Sequence, residues 1–180
     1  ALFQEYSLFL KQLSLNTAQL LLTRDGLDNP ERQAHTKNTI HTLFEHNIIP
    51  IINENDSVAI EELTFGDNDE LSCKLAKLIN AETLILLTDT NGVYTENPSV
   101  NPNATLIERL SNISDEQIAS IKDSPDARGG MKSKLLAAKN ASQSGINVYI
   151  TNGRKSDSII NILNNINPGT FVPKNDDNNN

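Results

Sequence analysis

Four short stretches of this sequence gather side chains that could bind or move charged groups. The stretch RGGMKSK, Arg128 to Lys134, sets Gly129 and Gly130 directly before an amphipathic run that contains Met131, Lys132, Ser133 and Lys134. Adjacent glycines allow a sharp bend or a close backbone approach. At a helix start the unpaired N–H groups and the helix dipole favour an anion, and Lys134, one turn in, reaches the same place. The spacing is neither that of a P-loop nor that of a dinucleotide fingerprint. Taken alone, such a stretch is more often a loop with a solvated basic helix behind it.

The other three stretches are NEND, GDND and TDTNG. In NEND, Asn53 and Asp56 close an apolar run, and a carboxylate beside amides suits a ligand bearing both an ammonium and carboxylates. An Asx-rich turn explains the same residues equally well. In GDND, Asp67 followed by Glu70 has the pattern of a capping box, which is a sufficient structural reason for Asp67. Asn68 and Asp69 fall in the first turn behind it; Asp69 either favours the helix dipole or steers lysines or a metal around a phosphate. In TDTNG, Thr88 and Asp89 end the most apolar run, where a ribose or base could bind, while Asn91-Gly92 is a common turn pair.

Composition narrows the classes of partner. The chain has 180 residues, 37% apolar content and a formal net charge of −8, with a pI near 4.8. Nucleic acids and anionic membranes select for positive charge, so neither is expected as the main partner. No apolar run approaches the ~20 residues of a membrane span, and no secretory signal stands at the start. The single cysteine, Cys73, excludes an intrachain disulfide and fits a reducing, cytoplasmic setting. His35, His41 and His46 miss the i, i+4 spacing of helical metal ligands and read as surface residues. No residue is assigned to a metal site.

The elements that must position these stretches alternate. Helical spacing is expected over 2–13, after Asn29-Pro30, over 69–80, 114–122, 130–145 and 156–166. Strands are expected over 18–23, 48–56, 82–92 and 146–151, with a final edge strand at 169–172. RDGLDNP reads as a loop, and SVAIEELTFGDND as an edge hairpin. This order predicts an α/β fold with a mostly parallel sheet. Ligands of such folds bind beyond the carboxyl ends of the strands, which selects 53–56, 88–92, 151–154 and the loops 66–69 and 126–134. The segment after residue 172 is a polar, asparagine-rich tail or linker.

Together and in this order, LLTRDGL, PIINENDSVA, FGDNDELS, LILLTDTNGVYTENP and RGGMKSKLLAAKNASQSGINVYITNGR resemble the amino acid kinase family, within it the branch acting on glutamate. The likeness runs from about Gln19 to Phe171. It implies a three-layer αβα sandwich over residues 1–172 that is N-terminally truncated. Family members begin with a strand carrying a lysine and a glycine-serine loop, then a second glycine-rich loop. Neither is among these 180 residues, so about the first third of the kinase domain is expected to be missing. The PUA domain of many bacterial relatives is not among them either. The kinase half of bifunctional pyrroline-5-carboxylate synthases is also similar, and Arg128 leans that way.

The resemblance implies ATP-dependent phosphorylation of the γ-carboxylate of L-glutamate, the first step of proline biosynthesis, with ATP and Mg²⁺. It implies that Asp56 and Asn68 bind glutamate with Asn53 and Asp67 close by, and that Asp69 organises the catalytic lysines. Thr88 and Asp89 would line the nucleotide site. Residues 128–134 would hold the ATP phosphates, with Lys134 stabilising the transferred group; Ser133 stands where the family usually has threonine. Expected partners are a glutamyl phosphate reductase, fused or separate, and further copies of the chain in a homo-oligomer. A non-catalytic module that binds nucleotide or amino acid is the alternative.

Overall fold

The computed structural model describes residues 2–55, 67–121 and 130–175. The chain divides into two compact units, 1–71 and 72–180.

The first unit holds α1 (Leu2–Gln12), β1 (Asn16–Leu22), α2 (Asp25–Asp28), α3 (Pro30–Glu45), β2 (Ile48–Glu54) and the start of α4 (Asn68–Leu78). β1 and β2 pair in parallel from Asn16↔Ile48 to Leu22↔Glu54. The segment expected to be a loop at RDGLDNP contains a single helical turn, α2, which Arg24 and Asp28 brace with an ion pair at 3.3 Å. Asn29 then starts α3: its Oδ1 accepts from the N–H groups of Glu31 and Arg32 at 3.0 and 3.2 Å, with Pro30 at the first position. Proline costs nothing there because its missing N–H would have been unpaired. Leu27, Ile40 and Leu71 are buried in this unit. α1 buries none of its residues, and Tyr6, Leu8 and Phe9 are exposed.

The second unit holds the rest of α4, β3 (Thr83–Thr88), α5 (Asp115–Ser120), α6 (Met131–Ser142), β4 (Asn147–Asn152), α7 (Ser158–Leu163) and β5 (Thr170–Val172). β4 is central. It pairs in parallel with β3 from Thr83↔Asn147 to Thr88↔Asn152, and antiparallel with β5. Its Val148 and Ile150 are fully buried, and α6 covers them with Leu135, Ala138 and Ala141. The alanines let the helix backbone come close to the sheet, and their spacing keeps one face of α6 in the core. Cys73 is buried in the same cluster. Thr170, also fully buried, ties β5 to the connection between β3 and α5: its Oγ1 donates to the Ile107 carbonyl at 2.7 Å and accepts from the Val93 N–H at 2.8 Å.

Helices return to strands through tight turns with one residue at positive φ: Ser14 (61°), Asn47 (55°), Asn80 (54°) and Gly145 (81°). At Gly145 the turn carries paired bonds, Gly145 N–H to the Ser142 carbonyl and Ile146 N–H to the Ala141 carbonyl, which satisfy the open end of α6. The same pair recurs at Asn80, with Ala81 bonded back to Ala76. α5 starts with a reciprocal capping box between Ser114 and Gln117. The hairpin expected over 57–69 lies outside the described residues up to 66; over 67–69 the chain is instead the cap and first turn of α4. No helix among the described residues is long and apolar enough to cross a membrane.

Candidate functional site

The expected site residues that are described sit at the carboxyl end of a strand or the amino end of a helix. In the first unit, Asn53 is exposed near the end of β2, opposite Leu21 of β1. The chain beyond it is held by the Asn55 N–H, which donates to the Leu22 carbonyl at 2.8 Å. Asp56 lies outside the described residues.

Asp67 caps α4. Its Oδ1 accepts from the N–H groups of Asp69 and Glu70 at 2.9 and 3.0 Å, the bonds that an N-cap residue makes. The carboxylate of Glu70 accepts from Arg24 at 3.5 Å, which links the start of α4 to α2 within the same unit. Asn68 is exposed in the first turn, whereas Asp69 is buried at 9% exposure. A buried carboxylate at a helix N-terminus gains from the dipole.

In the second unit, β3 ends at Thr88, whose hydroxyl donates to the exposed Asp89 carboxylate at 3.3 Å. The turn that follows has Gly92 at φ +150°, packed so that a Cβ there would come within 2.7 Å of the Thr170 hydroxyl. α6 packs on β4 and leads into it through residues 143–146, so it runs back along the strand. Its N-terminus therefore lies at the carboxyl edge of β3 and β4, the edge that carries Thr88 and Asp89. Gly130 is the N-cap of α6 in an extended conformation (φ −67°, ψ −179°) and, being glycine, makes no side-chain cap bond of its own. The first turn of a helix is where backbone N–H groups and the dipole favour an anion. The Lys134 N–H closes the first turn on the Gly130 carbonyl at 3.2 Å. Arg128 and Gly129 lie outside the described residues.

A third loop shares this edge. Asn152 ends β4, and its side chain binds the 88–92 turn, with Nδ2 donating to Asn91 Oδ1 at 3.1 Å. The strand-end rule selects 151–154, and a polar residue ending an apolar strand is the signal for Asn152; no individual residue there is singled out by its pattern. The three histidines are exposed, as expected of surface residues. Among the described residues, no three His, Cys, Asp or Glu side chains form a metal-holding group.

Parallel strand pairs with polar loops on their carboxyl edge, one of them beside a glycine-led helix, define an α/β architecture of the kind whose ligands bind at that edge. The chain belongs to the amino acid kinase family, which matches residues 4–152. Among its relatives, the glutamate 5-kinase of Clostridium acetobutylicum is 47% identical over 160 residues, covering 87% of this chain and 60% of that protein. The glutamate 5-kinase of Geobacillus thermodenitrificans is 46% identical over 173 residues, covering 95% of this chain and 46% of that one. The chain thus spans about half the length of the curated relatives it matches. Among solved structures, the UMP kinase of Ureaplasma parvum superposes with a TM-score of 0.62 at 22% identity, covering 92% of this chain and 63% of that one. An isopentenyl phosphate kinase from T. acidophilum gives 0.63 at 16%, covering 90% and 62%. At those identities the likeness is one of fold.

Proposed function

We propose that this chain is the glutamate- and ATP-binding part of a glutamate 5-kinase, transferring the γ-phosphoryl group of ATP to the side-chain carboxylate of L-glutamate. The observation that carries this reading is the 47% identity to a glutamate 5-kinase over 160 residues. The placement of Thr88, Asp89 and the N-terminus of α6 on one sheet edge supports it.

The chemistry makes few demands on acid–base groups. The glutamate side chain has a reference pKa of ~4.3 and is ionised at neutral pH, so no base has to remove a proton. A carboxylate oxygen forms a bond to the γ-phosphorus as the bond to the ADP oxygen breaks, and ADP leaves with that electron pair. The obstacle is repulsion between two anions, so catalysis consists of positioning and charge neutralisation. In the proposed assignment, the N–H groups of residues 130–133 and the ammonium of Lys134 take the phosphate charge. Thr88 and Asp89 hold the nucleoside, and Arg128, Gly129, Gly130, Met131, Lys132 and Ser133 form the phosphate turn. Asn53, Asp56, Asp67 and Asn68 bind glutamate, and Asp69 orients the lysines. Mg²⁺, when bound with ATP, screens the phosphate charge.

The product, an acyl phosphate, hydrolyses readily, so a reductase that consumes it directly is the partner this reading implies. A homo-oligomer in the cytoplasm belongs to the same reading. The test is an assay of the full-length protein with ATP, Mg²⁺ and L-glutamate, trapping the product with hydroxylamine. Glutamyl hydroxamate is expected; none with glutamate, but turnover with another carboxylate or phosphate acceptor, would overturn the substrate. Nucleotide binding without any turnover would favour a regulatory module.

A further inference from the structure

We propose that Asn152 is a positioning residue for the nucleotide, acting by fixing the Thr88–Gly92 turn. The proposal rests on the reading that Thr88 and Asp89 line the nucleotide site.

The β3–β4 ladder ends at the pair Thr88↔Asn152. Past that pair the two exiting loops share one further backbone bond, from the Gly153 N–H to the Thr88 carbonyl. The Asn152 side chain extends the pairing beyond the last ladder position. Its Nδ2 donates to Asn91 Oδ1 at 3.1 Å and to the Asp89 carbonyl at 3.5 Å. Its Oδ1 accepts from the Arg154 N–H at 2.9 Å. Beside it, the Gly153 N–H donates to the Thr88 carbonyl at 2.8 Å, and the Asn152 carbonyl accepts from the Ser158 hydroxyl at 2.8 Å. Asn91 passes the constraint on, its Nδ2 donating to the Tyr94 hydroxyl at 3.4 Å.

This wiring needs a carboxamide. Two donors must face one loop while an acceptor on the same group faces the other, and only Asn or the longer Gln offers both. The side chain of Asp89 itself is exposed and takes its hydrogen bond from the adjacent Thr88. Its position is therefore inherited from the backbone at 89, which Asn152 contacts directly. Small displacements of a binding group cost far more in function than in fold stability. Asn152 is only half-buried, so its loss leaves the core of β4 intact.

Asn152→Asp separates the two halves of the contact. It keeps the shape and the acceptor for Arg154, but turns a carboxylate oxygen toward two acceptors, Asn91 Oδ1 and the Asp89 carbonyl. The full-length protein is titrated calorimetrically with a non-hydrolysable ATP analogue and Mg²⁺. The expected result is a roughly tenfold rise in nucleotide Kd for Asn152→Asp and a smaller rise for Asn152→Ala. The KM for glutamate stays within about twofold in both. Asn91→Ala removes the acceptor from the other side and is expected to weaken nucleotide binding as well, which keeps the test decisive should the Asn152→Asp variant misfold. Unchanged nucleotide Kd in folded variants overturns the proposal, as does an equal loss for nucleotide and glutamate. Failure to bind nucleotide in the unsubstituted protein would instead remove the underlying reading. Nucleotide binding without glutamate turnover leaves this titration fully able to decide.

Discussion

Two threonines one strand apart make a sharp test of how this fold is held together. Thr170 on β5 and Thr151 on β4 are both at 0% exposure. Thr170 Oγ1 serves two backbone groups, the Val93 N–H and the Ile107 carbonyl. Thr151 Oγ1 has no hydrogen-bond partner among the described residues. Replacing either by valine preserves shape and volume, so the change is almost purely one of polarity. In Thr170→Val, two backbone groups lose their partner; at about 1–3 kcal/mol for each unsatisfied buried group, a loss of about 3 kcal/mol follows. In Thr151→Val, an unpaired buried hydroxyl is replaced by a methyl, and relief of its desolvation stabilises by about 1 kcal/mol. For a chain of this length, about 2–4 °C accompanies each kcal/mol, so Tm should fall by about 6–12 °C in the first variant and rise by about 2–4 °C in the second. Urea denaturation followed by circular dichroism gives the same comparison with the slope as a control on cooperativity. Shifts of equal sign and similar size in the two variants would refute the reasoning, because burial is matched and only the hydrogen bonding differs.

Three further outcomes are expected. Lys134→Ala should lower kcat by at least about a hundredfold with glutamate KM little changed; steady-state kinetics showing normal turnover would remove this lysine from the chemistry. Asp67→Ala should destabilise by about 1 kcal/mol through loss of the α4 cap, and Asp67→Ser should restore most of it; any glutamate KM defect that persists in the serine variant measures substrate binding alone. Gly92→Ala forces a side chain into a φ of +150° against Thr170 and should cost about 1–3 kcal/mol from backbone strain alone, read by thermal melting.

Much of the architecture is legible in the sequence because its signals are local. Asn29-Pro30 and Ser114 announce helix starts through capping chemistry that operates within one turn, and the strands around Leu86 and Ile150 are apolar because they are covered. α2 escapes such a reading because RDGLDNP has turn residues at every polar position, and a single helical turn is too short to show a period; its ion pair between Arg24 and Asp28 is visible only once the turn exists. GDND admits both a capping and a binding reading. The structure supplies the cap at Asp67 and leaves the substrate role to experiment. The contacts that Thr170 and Asn152 make are invisible for another reason. Each acts on residues far away in the chain, Thr170 on Val93 and Asn152 on Asn91, and no local pattern encodes such a meeting.

The tight helix-to-strand turns at Ser14, Asn47, Asn80 and Gly145 have a consequence for how such a chain can evolve. They all lie where strands begin, and each is closed by backbone bonds that leave no slack for an inserted residue. The connection from β3 to α5, residues 89–114, is longer, and side chains join backbone bonds in holding its turns: Asn97 accepts from the Ser99 N–H and Thr95 from the Thr105 N–H. Insertions are expected to be tolerated more readily in such a connection than in the tight turns. Loops at the carboxyl ends of the strands can be rewritten while the tight turns keep strand register unchanged. A frame found again in a UMP kinase and an isopentenyl phosphate kinase, at 22% and 16% identity, is what that division of labour would leave behind.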